Sequence, residues 1–510
     1  MRHFLCLFCF AVMAGMATQA NAALISGTVA SIDQDKGKLT LETTGGKSQT
    51  FQITGNVTVT LDGKPAKLSQ VEAGQKVSVF TSATGRVEKL TVRSGTPAAT
   101  PPANRPKTGK PASEPIETPE AAQTGWYQYG GPNRDNISTE TGLLAQWPES
   151  GPQLKWTTSN LGEGYSSVAL ADDGKMYTMG NRGDQEMTIC LDSATGKEIW
   201  ATQTGKAYRE GQGNGPRGTP TIDGDRVYVL GGNGDFSCLK RQTGAPLFSG
   251  NILQEFGARN IVWGISESVF IDGDKAVFTP GGQGAAMVAI NKLTGKLIWK
   301  AAVPGNPQTG YSSIIPVEVG GVRQYVNFVH TAVIGVDAQT GQFLWANESA
   351  ANGTANCSSP ISNGEYVFAA SGYGTGGTLI QLTGGRGNIS AQQVYHTQDM
   401  KSHHGGMVLY EGHIYATDEQ ILKCLDFKTG EVKWQNRSVG KGSVVFADGH
   451  VILRSENGPV AMFAATPDGY HEQGRFEPPR SDRPAWPHPV VASGCLFLRD
   501  QDRLFCYELK

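Results

Sequence analysis

Past residue 22 the chain consists of short runs in which apolar and polar residues alternate, and Gly, Asp-Gly or Asn-Gly ends most of them. Alternation with a period of two places every second side chain on one face. Each run therefore predicts a half-buried strand, and each glycine-bearing break a tight turn. Residues 23–94 hold about six such runs, among them 38–43, 57–61 and 87–92, with turns at Gly45-Gly46 and Asp62-Gly63. Their density predicts a small β-barrel of OB-like type. It carries no catalytic cluster, so an accessory or docking module is expected. Residues 95–124 break the pattern with seven prolines and no aromatic residue. Such a stretch cannot bury enough surface to fold and predicts an extended spacer.

From 125 to 510 a single phrase recurs. It runs Asp192, Thr195-Gly196, Trp200; then Asn291, Thr294-Gly295, Trp299; Asp337, Thr340-Gly341, Trp345; and Asp426, Thr429-Gly430, Trp434. A weaker copy has Lys240, Thr243-Gly244 and Phe248. The phrase reads as strand, turn, strand: the Asp or Asn side chain accepts from turn amides, Gly takes the position with φ > 0, and the Trp packs across a seam. Ahead of it stand hairpins with Asp223-Gly224, Asp272-Gly273 or Asn363-Gly364 at their turns. Together the two phrases make a four-stranded blade. Blade ends fall at Trp156, Trp200, Phe248, Trp299, Trp345, Tyr395, Trp434 and Phe476, at intervals of 39 to 51 residues. An all-β protein is predicted, an eight-bladed β-propeller behind the N-terminal barrel. The last blade, from Val490 to Leu509, shows only three strands, and Gln153–Trp156 is expected to supply the fourth and close the ring.

These phrases resemble the A-x-D-x-x-T-G-x-x-x-W repeat of the pyrroloquinoline-quinone-like (PQQ-like) β-propeller family, over about residues 126–510. The family includes quinoprotein alcohol dehydrogenases and the outer-membrane assembly lipoprotein BamB. The motif builds the blade and not a site, so it speaks for fold and little for activity. In dehydrogenase members the resemblance implies PQQ beside Ca²⁺, with the quinone carrying the chemistry and an Asp as base.

Composition narrows the picture further. Basic residues number 44 and acidic residues 46, which gives neither nucleic acid nor an anionic membrane a footing. Met1-Arg2-His3, an apolar run to Met16 and the small residues Ala20-Asn21-Ala22 predict a signal peptide over residues 1–22. The expected product is a periplasmic or secreted protein without a transmembrane segment, and a monomer. Cys190, Cys238, Cys424 and Cys506 share one slot of the repeat and read as buried free thiols, while the pairing of Cys357 and Cys495 stays open.

The long crossovers between blades converge on one mouth of the channel. They bring Tyr165, Arg217, Trp263, Glu267, Tyr311, Asn356, His403, His404, Lys441, Trp486 and His488 to a candidate funnel. The plainer alternative is that these residues cap strand starts. Glu267 and Asn356 are the candidates for an oxygen site for Ca²⁺. Against a PQQ dehydrogenase stand the lack of adjacent cysteines and of a C-x-x-C-H haem site past residue 22. Against a BamB-like assembly factor stand the absent lipobox and the added N-terminal barrel. The favoured expectation is a scaffold without redox chemistry that binds a small molecule or a cell-envelope protein.

Overall fold

The computed structural model describes residues 23–33, 37–43, 47–53, 57–61, 64–81, 87–93, 125–386 and 388–510. The expected signal peptide and the whole of the proline-rich spacer lie outside these residues. By its contacts the chain divides into two units, Met1–Glu117 and Thr118–Lys510.

The described part of the first unit forms one seven-stranded sheet. Its order is Lys47–Gln52, Lys38–Thr43, Ala23–Asp33, Lys76–Thr81, Val87–Arg93, Thr58–Leu61, Lys64–Ala66. All neighbours are antiparallel except Thr58–Leu61 against Val87–Arg93. One face is apolar, with Val29, Leu39, Leu41, Val79, Leu90 and Val92 buried together. The seventh strand, Lys64–Ala66, escaped the pattern because it is three residues long and contains Pro65, a residue confined to sheet edges.

The second unit is a β-propeller: its described residues form eight four-stranded antiparallel sheets. Seven take their strands in chain order. The eighth joins Val490–Ala492, Cys495–Asp500 and Arg503–Glu508 to Leu154–Thr158, so the chain's end pairs with the start of the unit.

Coordinates explain the repeat phrase residue by residue. Asp192 Oδ1 accepts from the Thr195 amide at 2.9 Å and from its hydroxyl at 2.7 Å, and Asn291, Asp337 and Asp426 cap their turns in the same way. Gly196 has φ 70°, and a Cβ there would lie 2.7 Å from the Trp156 ring. Gly244 stands likewise against Trp200, Gly341 against Trp299 and Gly430 against Tyr395. The glycine of one sheet is thus the floor for the aromatic ring that ends the preceding sheet. Trp200 Nε1 then donates across the same seam to Arg241 O at 3.1 Å.

Residues 125–147 form no regular strand; they lie across the inner strands. The backbone of Trp126 bridges to Leu170, Tyr127 O accepts from Ile222 N, and Ile137 bridges to Phe446. Arg134 donates to Ser268 O at 3.0 Å, Asn136 to Met407 O at 3.2 Å and Ser138 to Val491 O at 2.8 Å. One strap therefore holds inner strands of six sheets.

Candidate functional site

Within a four-stranded meander the chain reverses after each strand. The first and third turns open on one face of the ring, and the second turn and the crossover to the next sheet open on the other. On that second face the crossovers preceding seven of the eight sheets meet in one cavity of about 310 Å³. Of the candidates named from the crossovers, Tyr165, Arg217, Trp263, Tyr311, His403, His404, Trp486 and His488 line it. So do Tyr129 of the strap, Glu210, Cys357 and Tyr373, which that reading did not name.

Its walls are aromatic. Tyr165 and Trp486 stand 4.8 Å apart between ring centroids, and Trp263 and Tyr311 5.6 Å. Tyr373 meets His403 edge-on at 4.8 Å, and Tyr129 lies 5.3 Å from His488. Tyr373 holds φ 56°, a left-handed conformation that a bulky residue rarely keeps unless its surroundings impose it.

Each charge at the wall is met by its opposite. Arg217 lies over the ring of Tyr208 at 4.5 Å and pairs with Glu210 at 3.0 Å. Burial lowers the Arg217 pKa, and Tyr208 and Glu210 oppose that shift. Behind His403, Lys441 Nζ stands 3.2 Å from Glu456 Oε1 and donates to His403 Nδ1 at 3.2 Å. With Nδ1 accepting, His403 donates through Nε2 to the Tyr373 hydroxyl at 3.1 Å. Burial, together with His404 and Lys441, pushes the His403 pKa down to about 3. His404 is lowered by burial against its bond to Glu456, and His488 is pushed down to about 4 by burial. All three imidazoles are neutral at physiological pH. Burial alone would raise Glu456, yet hydrogen bonding from His404 and the charge of Lys441 bring it down to about 2. With His404 uncharged at neutral pH, the Lys441 ammonium 3.2 Å away is the countercharge beside this carboxylate.

Three expected residues are not part of the lining. Lys441 is the support behind His403. Glu267 is 1% exposed, and its carboxylate accepts from the Thr279 amide at 2.7 Å, the Thr279 hydroxyl at 2.8 Å and Asn327 Nδ2 at 3.3 Å. Asn356 donates to Val329 O at 3.0 Å and His330 O at 2.7 Å, while its Oδ1 accepts from Asn352 N at 3.0 Å. The oxygens expected to hold Ca²⁺ are thus engaged within the protein. Among the described residues no three His, Cys, Asp or Glu side chains come together as a metal would need. Among the described residues no Asp lines the cavity where a dehydrogenase would need its base. The residues present do not fit a Ca²⁺–quinone pair.

The missed residues have findable signals. Tyr129 sits in Trp126-Tyr127-Gln128-Tyr129, an aromatic density that a mere linker end would not carry. Tyr373 and Glu456 come from second turns, which open on the same face as the crossovers.

Residues 183–436 match the model of a family described as outer membrane protein assembly factor BamB. Among solved structures, the quinohemoprotein alcohol dehydrogenase from Comamonas testosteroni is similar at 13% identity and a TM-score of 0.54, over 76% of this chain and 80% of that one. A europium-containing methanol dehydrogenase is similar at 11% identity and 0.56, over 74% and 89%. BamB from Moraxella catarrhalis stands at 13% identity and 0.49, over 70% and 100%. At these identities the likeness is one of fold. No curated protein matches this chain in sequence.

Proposed function

We propose that this chain, which belongs to the pyrroloquinoline-quinone-like β-propeller repeat family, is an exported binding protein whose funnel takes an uncharged, flat small molecule. Each four-stranded sheet is one blade of an eight-bladed ring, and the first unit is a small OB-like module that docks the protein in the envelope. The observation that carries the ligand reading is the cavity wall, where paired aromatic rings stand beside neutral imidazoles and the charges are compensated. Aromatic faces gain from stacking and from loss of apolar surface to water. Among the described residues an anionic ligand would find no free cation there, because Arg217 serves Glu210 and Lys441 serves Glu456.

The test is a titration of the full mature chain followed by tryptophan emission. One arm uses a panel of uncharged planar aromatics and the other PQQ, a tricarboxylate, with and without Ca²⁺. Saturable quenching by an uncharged member, lost in Trp486→Leu and Trp263→Leu, is expected. Tight, Ca²⁺-dependent binding of PQQ would overturn the reading in favour of a quinoprotein dehydrogenase. If neither arm binds, the small-molecule reading fails. The occupant is then sought among envelope proteins, to which Val262, next to Trp263 in the chain and 74% exposed, offers an apolar contact.

A further inference from the structure

The eighth sheet departs from its sister sheets at one position. In three of them the slot cysteine faces a tyrosine across the ladder: Cys190 faces Tyr177, Cys238 faces Tyr228 and Cys424 faces Tyr415. Two residues before each tyrosine stands a basic or imidazole side chain, Lys175, Arg226 or His413. In the eighth sheet Cys506 faces Phe497, and the residue two before it is Cys495. A second cysteine has replaced the polar residue only there among these four sheets.

The register decides where the two sulfurs lie. Cys495 pairs with Glu508 and Phe497 with Cys506, so the cysteines are diagonal neighbours whose side chains share one face of the sheet. Diagonal Cα atoms stand ~7–8 Å apart with their Cβ atoms nearer, and sheet twist draws one diagonal together. A disulfide tolerates Cα separations up to about 7 Å. In this sheet both are free thiols, and each is the largest influence on the other's ionisation. Both are buried in the same apolar cluster. The neighbouring Cys506 sulfhydryl, assisted by the Lys155 ammonium, holds the Cys495 thiol below its ordinary range despite burial. Lys155 is fixed by Glu508 at 3.2 Å on the adjoining strand.

We propose that Cys495 and Cys506 form a disulfide in the exported protein, a staple within the sheet that closes the ring. This rests on the export part of the reading above, because only an oxidising compartment sustains such a bond. The chemistry is thiol–disulfide exchange with a disulfide oxidant. The Cys495 thiolate attacks one sulfur of the oxidant, forming a mixed disulfide and releasing the oxidant's other sulfur as a thiolate. Cys506 loses its proton and attacks the Cys495 sulfur, which forms the S–S bond and expels the second oxidant thiolate. Two electrons and two protons pass to the oxidant. The two sulfurs are buried in the folded sheet, so the exchange belongs to folding and precedes closure.

Thiol counting on the full mature chain tests it. The reduced chain is refolded with oxidised and reduced glutathione, denatured in acid without reductant, alkylated and mass-analysed. Of its six cysteines, those at 190, 238, 357 and 424 are expected to be alkylated, with one linked peptide pair joining 495 to 506. Cys495→Ser should free Cys506 for alkylation and lower the melting temperature of the oxidised protein to that of the reduced one, while Cys357→Ser should leave the linkage in place. Six alkylated cysteines after refolding, or a link between other positions, would overturn the pairing. The same count on chain recovered from cells, beside its fractionation, separates the two readings. A cytoplasmic chain refutes export, whereas an exported chain with six free thiols refutes the staple.

Discussion

Glu267→Gln discriminates a metal ligand from a structural carboxyl. Burial is the largest influence on Glu267; it outweighs the Thr279 hydrogen bonds and the charge of Arg134 and pushes the pKa up to about 7 from 4.5. A carboxyl raised in the folded state binds a proton there that the unfolded chain has already released between those pH values. Stability is therefore full below about pH 4.5, falls as pH rises through 7, and is flat above. The shift from 4.5 to about 7, at about 1.4 kcal/mol for each pH unit, amounts to ~3 kcal/mol lost by about pH 8. Glutamine keeps an acceptor for the Thr279 amide and removes the titration. It also removes the countercharge for Arg134, a guanidinium whose own pKa burial depresses to about 10. A net gain of about 1–2 kcal/mol at pH 8 is expected, reversing to a loss near pH 5.

Urea unfolding of both proteins at the two pH values, with and without millimolar Ca²⁺, reads the difference directly. An equal stability difference at both pH values would refute the assignment of a strained buried carboxyl. A Ca²⁺-dependent rise in the midpoint of the parent, absent in the variant, would make Glu267 the metal ligand that the sequence suggested.

Arg499 is fully buried and donates to Gly162 O at 3.1 Å, Ser166 O at 3.3 Å and Thr178 Oγ1 at 2.6 Å, all in or before the first sheet. Arg499→Met strands these acceptors at the closing seam, and urea unfolding should show a loss of about 3–5 kcal/mol. Glu456→Gln leaves Lys441 without its carboxylate between two imidazoles. A red-shifted Trp486 emission and a loss of about 1–3 kcal/mol are expected, with Glu456→Asp retaining more of both than Gln. Cys357 borders the cavity, but the protein around it pushes its thiol up to about 12. Alkylation at neutral pH followed by mass spectrometry should run at least about 100-fold slower than for an ordinary thiol.

How much was legible follows from what each residue does. The turn Asp, the Gly and the ring that ends each phrase act through local geometry and through the one seam they share, and both recur with the repeat. Trp156 resting on Gly196 is the same contact as Trp200 on Gly244, so periodicity alone reveals it. The strap at 125–147 has no period. Its structure is set by partners more than a hundred residues away, such as Ser268 for Arg134 and Met407 for Asn136, and no local pattern encodes them.

The site divides along the same line. Crossover residues were found because the topology sends every crossover to one face, and that inference needs no side-chain geometry. Glu267 was assigned to the funnel because it lies on the crossover before the third sheet, whose Ser266 does line the cavity. Neighbouring residues near a strand start point opposite ways, and Glu267 turns into the seam toward Thr279 and Asn327. Composition could not separate a carboxylate held for a metal from one spent on an amide and two side chains. Nor could it show that Arg217 and Lys441 each have a partner, since Glu210 was not singled out and Glu456 comes from a second turn. A family resemblance carries blade-building residues because every blade needs them. It does not carry a Ca²⁺–quinone site, which depends on free oxygens and free cations at a few non-repeating positions. In this chain those positions are engaged by other parts of the protein.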